Sequence, residues 1–343
     1  MTVSITPFDP AQAPDELIRG AYTVTVEAFK LDFPDRPVPA FEAYAEQLRK
    51  PISMLGPRRQ WLARAEDDAQ VLGVASAVFQ EHENSHLCLV NIRVAPARRR
   101  AGIGTALFRD ILAEVEASGR ELVVTDGLKR GSDGAHWAEA HGFTPTSEIL
   151  MQRLFLADAA DASRQTAMPA GFRVEFWLES LPVDVVDGYA AALSGMDDAQ
   201  GTLGMNQPQW SAERLRDYES EARERGNELR FAAAVREADG SLVAVTIIEL
   251  AENQPEYCFQ QATAVLPELR GRGLALGLKA AALRRLRAER PAIREVQTHM
   301  PTGRRAMIHV NHRLGYVDDE VIARFEAPAR VLRAGLAGAR ARP

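Results

Sequence analysis

The chain contains the stretch Val94-Ala95-Pro96-Ala97-Arg98-Arg99-Arg100-Ala101-Gly102-Ile103-Gly104-Thr105, and a second copy reads Val265-Leu266-Pro267-Glu268-Leu269-Arg270-Gly271-Arg272-Gly273-Leu274-Ala275. Each copy has Val-x-Pro, a short basic segment, and Arg-x-x-Gly-x-(Gly/Ala) at the start of an apolar helical pattern. This order predicts a strand, a glycine-rich turn and a helix N-terminus. Such a turn favours anions, because backbone N–H groups converge there and the helix dipole adds about half a positive charge.

The repeat extends on both sides of the motif. The apolar strand Leu72–Phe79 aligns with Leu242–Glu249, at almost the same spacing in sequence as the motif glycines Gly102 and Gly273. The closing pairs Gly142-Phe143 and Gly315-Tyr316 are only slightly further apart. Three landmarks with nearly the same offset indicate a duplicated domain rather than two chance turns.

The bulk composition is that of a globular protein with 343 residues, long enough for two domains. A net charge of −6 argues against nucleic acid as the main partner. Cys88 and Cys258 stand in no CxxC or Cys/His pattern, so we predict reduced, half-buried strand cysteines and no metal site. The chain shows neither a signal-peptide pattern nor an apolar run of about 18 residues, which predicts a cytoplasmic protein without membrane contact.

Apolar periodicity predicts a mixed α/β fold in each half. In the first half we expect helices over 13–29, 41–48, 105–118 and 133–141, and strands over 61–64, 71–80, 86–94, 121–125 and 148–155. In the second half we expect helices over 183–192, 212–223, 274–287 and 305–314, and strands over 172–177, 229–236, 242–249, 257–265 and 295–298. The predicted domains are residues 1–156 and 170–330, with a linker at 157–169 and a fraying tail at 331–343.

These features together resemble the GNAT superfamily of acyl-coenzyme A-dependent N-acetyltransferases, whose signature is (Arg/Gln)-x-x-Gly-x-(Gly/Ala) between the fourth strand and the next helix. The matching residues are Arg99, Gly102 and Gly104 in the first copy and Arg270, Gly273 and Ala275 in the second. The resemblance covers Ser4 to Glu326 and is similar to the tandem type of actinobacterial proteins, to which mycothiol synthase belongs. It implies two GNAT-like domains and acetyl transfer to a primary amine of a small molecule.

The resemblance also implies that acetyl-CoA is the co-substrate, with its pyrophosphate on the turns and its pantetheine arm along the preceding strand ends. In the first copy the implied contacts are Ile92, Arg93, Val94, Arg99, Arg100, Ala101, Gly102, Ile103, Gly104 and Thr105. In the second they are Thr263, Ala264, Val265, Arg270, Gly271, Arg272, Gly273, Leu274 and Ala275. Asn311 is a further candidate for a hydrogen bond to the coenzyme.

The general acid of the family is missing from its usual place. Many members have a tyrosine four residues before the closing glycine, where this chain has Ala138 and Asn311. The thiolate would then leave without a dedicated acid, since its conjugate thiol is fairly acidic. Glu249 and Glu252, at the end of a central strand, are the candidates for the base that takes the amine proton, although a charged hairpin loop also fits simple solvent exposure.

Two further questions stay open at this level. An insertion over 193–223, with Met196-Asp197-Asp198-Ala199 in it, favours the second copy as the catalytic one. A non-catalytic coenzyme A-binding protein is the alternative.

A P-loop and a dinucleotide fold are excluded, because no lysine and no third glycine stand at the required places. The copies are expected to pair within a monomer, as in separate GNAT subunits, or the chain to form a homodimer.

Overall fold

The computed structural model describes residues 2–50, 56–66, 70–157, 166–194, 205–206, 209–252 and 254–339. The strands are β1 (Val3–Pro7), β2 (Arg58–Ala65), β3 (Val71–Phe79), β4 (Leu87–Val94), β5 (Leu122–Lys129), β6 (Thr144–Phe155), β7 (Phe172–Leu178), β8 (Asn227–Arg236), β9 (Leu242–Ala251), β10 (Tyr257–Val265), β11 (Glu295–Pro301) and β12 (Val317–Pro328). The insertion segment Met196–Ala199 and most of the expected linker lie outside the described residues.

The helices follow the apolar periodicity of the sequence. They are α1 (Asp15–Asp32), α2 (Phe41–Arg49), α3 (Ile103–Ala117), α4 (Asp133–Ala140), α5 (Val183–Ser194), α6 (Ala212–Glu224), α7 (Leu274–Glu289), α8 (Arg305–Arg313) and α9 (Ala329–Ala339). Short 3-10 turns at Pro96–Arg98 and Pro267–Leu269 precede α3 and α7. The predicted mixed α/β fold is confirmed, and the sequence analysis missed β1, β12 and α9.

The first compact unit comprises Met1–Ser147, Thr202–Asn206 and Ile322–Pro343. Its sheet has the order β1-β2-β3-β4-β5 followed by the end of β12. One face packs on α3, where Leu107, Phe108 and Ile111 are fully buried. The other face lies under α1 and α2. The central strand β3 is therefore covered on both sides, which explains its continuous apolar sequence.

The second compact unit comprises Glu148–Gly201 and Gln207–Val321. Its sheet has the order β7-β8-β9-β10-β11 followed by β6. The helix α7 supplies most of the core on one face, with Leu278, Leu283 and Leu286 buried among strand residues. On the other face Tyr189 of α5 is fully buried, and its hydroxyl donates to the Thr246 carbonyl oxygen at 2.7 Å.

The compact units differ from the consecutive domains expected from the sequence. Residues 322–328 of β12 pair antiparallel with β5 in the first unit. Residues 149–155 of β6 pair antiparallel with β11 in the second. The last strand of each sequence half thus completes the sheet of the other unit, because any strand edge offers the same backbone donors and acceptors.

The strand registers correct one part of the repeat alignment. The Ala95 N–H donates to the Leu72 carbonyl oxygen at 2.9 Å, and the Leu266 N–H donates to the Val243 carbonyl oxygen at 3.0 Å. Leu72 therefore corresponds to Val243 and not to Leu242. With this correction, the spacing between the two copies at this strand equals the spacing between the motif glycines Gly102 and Gly273.

The C-terminal tail was expected to fray, and its described part is instead the helix α9. Leu332 is fully buried and Leu336 is nearly so, both in the core of the first unit beside α3. The apolar residues at helical spacing explain why this segment folds. Its alanine and glycine content concealed that pattern.

Replacing Leu332 by alanine is expected to lower the free energy of unfolding by about 3 kcal/mol, because it removes a fully buried side chain and leaves a cavity. Urea-induced unfolding measures the loss. Arg333→Ala is the matched control, since that side chain is 75% exposed. If the two variants lose equal stability, the tail frays in solution.

Candidate functional site

The turn after β4 has the backbone of an anion site. The chain leaves the 3-10 turn through Arg99, passes Arg100 with a φ of 64°, and reaches Gly102 with a φ of 79°. Gly102 is the residue before α3, and no side chain caps that helix start. A Cβ at Gly102 would meet no atom within 4 Å, so the backbone there is open to a ligand. The first-turn N–H groups of α3 are therefore available to an anion.

The turn after β10 has the same conformation. Arg270 has φ and ψ of −62° and 155°, against −63° and 159° for Arg99. Gly271 and Gly273 have left-handed φ values of 75° and 82°, and α7 also starts without a side-chain cap. Arg100 adopts the left-handed conformation that glycine adopts in the second turn, at a cost of about 1–2 kcal/mol. Both predicted turns are thus built in the same way.

The charges around the two turns differ. In the first unit, Arg99 is paired with Asp133 at 3.0 Å, which offsets part of its positive charge. In the second unit, Arg304 precedes α8 and its Nε is buried without a hydrogen-bond partner among the described residues. Burial and the nearby charge of Arg270 lower the pKa of Arg304. Arg304 therefore adds a guanidinium group with an unpaired Nε near the second turn, whereas Asp133 offsets the charge of Arg99 at the first.

Beside each turn, two parallel strands part from one another. β4 pairs with β5 through Leu89↔Val124 and continues unpaired on that side to Val94. β10 pairs with β11 through Phe259↔Gln297 and continues to Val265. Backbone donors and acceptors along the parted segments have no ladder partner on that side, so each unit has a slot suited to an extended polar ligand.

A β-bulge distinguishes the second unit. The pairing of β10 with β9 shifts between Gln260 and Ala262, so Gln261 is an extra residue, whereas β4 pairs with β3 without a shift. The bulge also explains why Cys258 precedes its motif glycine by a longer segment than Cys88 does. A bulge leaves a residue outside the ladder and redirects its strand. It therefore alters the course of β10 beside the slot of the second unit.

The Acetyltransferase (GNAT) family profile matches residues 20–143 and 199–316. Both matches include a turn and its parted strands. The chain belongs to the GNAT acetyltransferase family.

Known proteins with a similar fold or sequence agree with the family. A tandem GNAT protein from the clavulanic acid biosynthesis pathway is 22% identical, with a TM-score of 0.77 over 96% of this chain and 99% of that one. A GCN5-related N-acetyltransferase from Sphaerobacter thermophilus is 18% identical, with a TM-score of 0.69 over 95% and 96%. Mycothiol acetyltransferase of Kocuria rhizophila is 24% identical over 176 residues, so the match spans about half the length of each protein (51% and 52%).

Glu249, a predicted base of this GNAT protein, lies beside the bulge. Its buried carboxylate accepts hydrogen bonds from the Tyr218 hydroxyl at 2.8 Å, from Gln261 at 2.6 Å and from Asn227 at 2.5 Å. Arg225 lies at 3.5 Å from the same carboxylate. Glu249 thus holds the bulged residue in place, and one of these bonds must open before the carboxylate takes a proton.

Glu252, the other predicted base, lies in the turn after β9 and is exposed. Its carboxylate covers Gly226, where an added Cβ would come within 2.5 Å of the Glu252 Oε2. The structure therefore brings Glu249 to the parted strands of the GNAT unit and places Glu252 at the hairpin end.

Asn311 occupies the position where many GNAT enzymes have a tyrosine, and it is fully buried. Its side-chain oxygen accepts a hydrogen bond from Lys279, and its Nδ2 donates to the Gln152 Oε1 at 2.7 Å. Both polar atoms of the Asn311 side chain, which was predicted to bond the coenzyme, are thus already hydrogen-bonded within the second unit.

Lys279 was missed by the sequence analysis, although it interrupts an apolar helix segment. The side chain is buried, with its Nζ 5.0 Å from the centroid of the Tyr316 ring. Burial lowers the pKa of Lys279 from 10.5 to about 7. The equivalent residue of the first unit is Phe108, so the GNAT fold itself does not require an amine there.

Two aromatic residues near the closing glycines pack within the units. Tyr316 is buried, and its hydroxyl donates to the Gln260 Oε1 at 2.8 Å. Burial holds the pKa of Tyr316 well above its ordinary value. Trp137 packs edge-on against Phe108 with ring centroids 5.4 Å apart.

The two cysteines are free and buried, more deeply than the half-burial predicted. Burial raises the pKa of both thiols to about 12, which makes them poor nucleophiles. Within the described residues, no group of three or more His, Cys, Asp or Glu side chains is arranged to hold a metal ion. Over the same part of the chain, no helix combines the length and apolarity that crossing a bilayer requires.

Proposed function

We propose that this protein is an acetyl-CoA-dependent N-acetyltransferase that acts on a primary amine of a small molecule, with turnover in the second unit. One observation carries the proposal. In each unit, an uncapped helix start with a left-handed glycine lies at the end of a strand that parts from its parallel neighbour. The turn suits a pyrophosphate and the slot suits an extended amide-containing arm.

The residues of the second unit fit such a co-substrate. First-turn N–H groups of α7 and the guanidinium groups of Arg270 and Arg304 would hold phosphate oxygens. Backbone groups of Thr263 to Val265 would bond the amides of the pantetheine arm. The coenzyme would supply an activated acetyl group as a thioester. A Cβ at Gly102 would meet no atom within 4 Å, and one at Gly273 would meet the Pro169 Cγ at 3.8 Å, so both backbones leave room for a phosphate.

The remaining steps fall to groups near the bulge. A neutral amine attacks the acetyl carbonyl carbon, and an unpaired backbone N–H of β10 stabilises the negative charge that develops on its oxygen. Glu249 takes the amine proton through a water molecule once a hydrogen bond from Tyr218 or Gln261 opens. The thiolate leaves without a tyrosine, and solvent protonates it.

A coenzyme A-binding protein without turnover is the second candidate. Its support is that Ala138 and Asn311 replace the usual tyrosine and that Asn311 is bonded to Lys279. Acetyl-CoA would then bind without any amine-dependent release of thiol. The acceptor panel should include the amine acceptor used by a mycothiol acetyltransferase, since one relative has that name. We also propose that the protein is either a monomer, with its two GNAT copies paired in one chain, or a homodimer. Sedimentation distinguishes the monomer from the dimer.

Calorimetric titration with acetyl-CoA is expected to show two equivalents of unequal affinity. Both turns have the same backbone, but their charged neighbours differ, because Asp133 pairs with Arg99 at the first turn and Arg304 lies near the second. Thiol release with an amine panel, measured on the same preparation, tests turnover. No heat of binding would contradict the proposal. Binding without thiol release from any amine would support the second candidate.

A further inference from the structure

A cavity of about 180 Å³ lies in the first unit, between the sheet and the helices α1 and α2. A single ordered water needs only roughly 10–15 Å³ on the same measure. The helices contribute Thr25 and Tyr44, whose hydroxyl oxygens are 3.2 Å apart. The cavity therefore has room for a small molecule and polar groups on its helical wall.

The sheet wall of the cavity carries a row of polar side chains. Gln60 of β2 is opposite Ser76 of β3, and Ser76 is opposite Asn91 of β4. Arg58 and Arg93 lie two residues along β2 and β4 and so share this face. We call the space under these five residues the sheet-face cavity. A sheet face covered by helices is normally apolar, so this row needs an explanation.

The second unit shows that the fold does not require this polarity. The strand registers identify the residues equivalent to Arg58, Gln60, Ser76, Asn91 and Arg93 as Leu229, Phe231, Ile247, Ala262 and Ala264. Tyr189 packs on this face, with its ring centroid 5.5 Å from that of Phe231. These five positions therefore have apolar side chains in the second unit and polar ones in the first.

The charges of the sheet-face cavity are not balanced by contacts. The Arg58 Nε is buried without a hydrogen-bond partner among the described residues. Arg93 donates to the Asn91 Oδ1 at 2.5 Å, and no acidic side chain of the described chain lies within ion-pair distance of either arginine. Asp32 acts on Arg93 only through space, and burial lowers the pKa of both guanidinium groups. Arg58 and Arg93 are only partly exposed, so two positive charges that line one cavity without an acidic partner favour an anionic ligand.

We propose that the sheet-face cavity binds a small molecule through its carboxylate, with Arg58 and Arg93 as the charged contacts. Ser76, Asn91 and Gln60 supply neutral hydrogen bonds to the same ligand. A carboxylate matches the planar pair of N–H donors of an arginine side chain. The cavity walls also include the apolar residues Phe8 and Leu48, so we expect the rest of the ligand to be apolar. The proposal concerns binding alone and does not depend on acetyl transfer.

Acetate is the probe that tests this site in the absence of coenzyme. At constant ionic strength, acetate in place of chloride is expected to raise Tm saturably, by about 3–5 °C at a tenfold excess over Kd. Acetamide, its neutral isostere, should leave Tm unchanged. An equal response to acetamide, a response to inorganic phosphate but not acetate, or no response to acetate would overturn the proposal.

Arg58→Met supplies the decisive variant. Removing this partly buried cation, whose Nε has no partner among the described residues, is expected to raise the Tm of the ligand-free protein and to abolish the acetate response. Arg59→Met is the matched control, because Arg59 lies next to it on the opposite face and is ion-paired with Glu114. A fall in Tm for Arg58→Met with an unchanged acetate response would make Arg58 a structural residue and overturn the proposal.

Discussion

Gly273→Asp is expected to lower acetyl transfer by about a thousand-fold. An aspartate at the start of α7 would place a negative charge about 4 Å from a bound pyrophosphate, which costs about 4 kcal/mol at an effective dielectric constant of 20. Each 1.4 kcal/mol is a factor of about ten in affinity or rate. Thiol release with a competent amine measures the loss. Gly102→Asp is expected to weaken binding at the first turn and to leave turnover largely intact, because the bulged strand and the proposed base Glu249 belong to the second unit.

The control for both variants is Gly240→Asp. Gly240 has a left-handed φ of 73° and open space around its Cβ position, so the substitution carries the same backbone cost and the same charge. It lies in the β8–β9 hairpin, outside the sequence of either glycine-rich turn. Equal losses in Gly273→Asp and Gly240→Asp would show a folding defect. The reverse order of Gly102→Asp and Gly273→Asp would move turnover to the first unit.

Lys279→Met is expected to remove a large pH dependence of stability. The folded pKa of Lys279 is about 7 and its ordinary value is 10.5, so between these values the unfolded chain binds a proton that the folded chain does not. The free energy of unfolding should therefore rise with pH across that window, by about 5 kcal/mol in total, and be lowest below pH 7. The methionine side chain does not titrate, so the free energy of unfolding of the variant should exceed that of the parent by most at the lowest pH values of this range.

Urea-induced unfolding at several pH values between about 6 and 10 measures this difference. The variant also leaves the Asn311 oxygen without its donor, at a cost of about 1–3 kcal/mol that does not vary with pH. Lys50→Met is the control, because the Lys50 side chain is 56% exposed. Parallel stability curves for the parent and Lys279→Met would show that the buried amine keeps its charge in the folded state.

Much of the fold followed from the pattern of apolar residues. The strand over 257–265 and the helix that begins at Leu274 have the predicted starts, because strong periodicity and glycine turns define them. β1 was missed because the alternation in Val3–Pro7 is short, with only Val3 and Ile5 as apolar positions. The helix α9 was missed because alanine and glycine dominate its sequence.

The residues of the candidate site also divide into those that the sequence predicts and those that it does not. Both turns could be predicted, since glycine and arginine at fixed spacing have a direct structural meaning. Arg304, Lys279 and Gln261 could not, because each acquires its role from neighbours distant in sequence. Arg304 lies near Arg270, Lys279 bonds Asn311, and Gln261 bonds Glu249.

The duplication, the two glycine-rich turns and the family could be established from sequence alone, because they depend on local backbone geometry repeated along the chain. Only the tertiary structure decided which sheet each final strand joins, where the single extra residue of β10 forms a bulge, and which unit has a polar cavity under α1 and α2. Those outcomes depend on pairing and packing between distant segments. A strand edge presents the same backbone groups to any partner, so the side chains that meet across it make the choice.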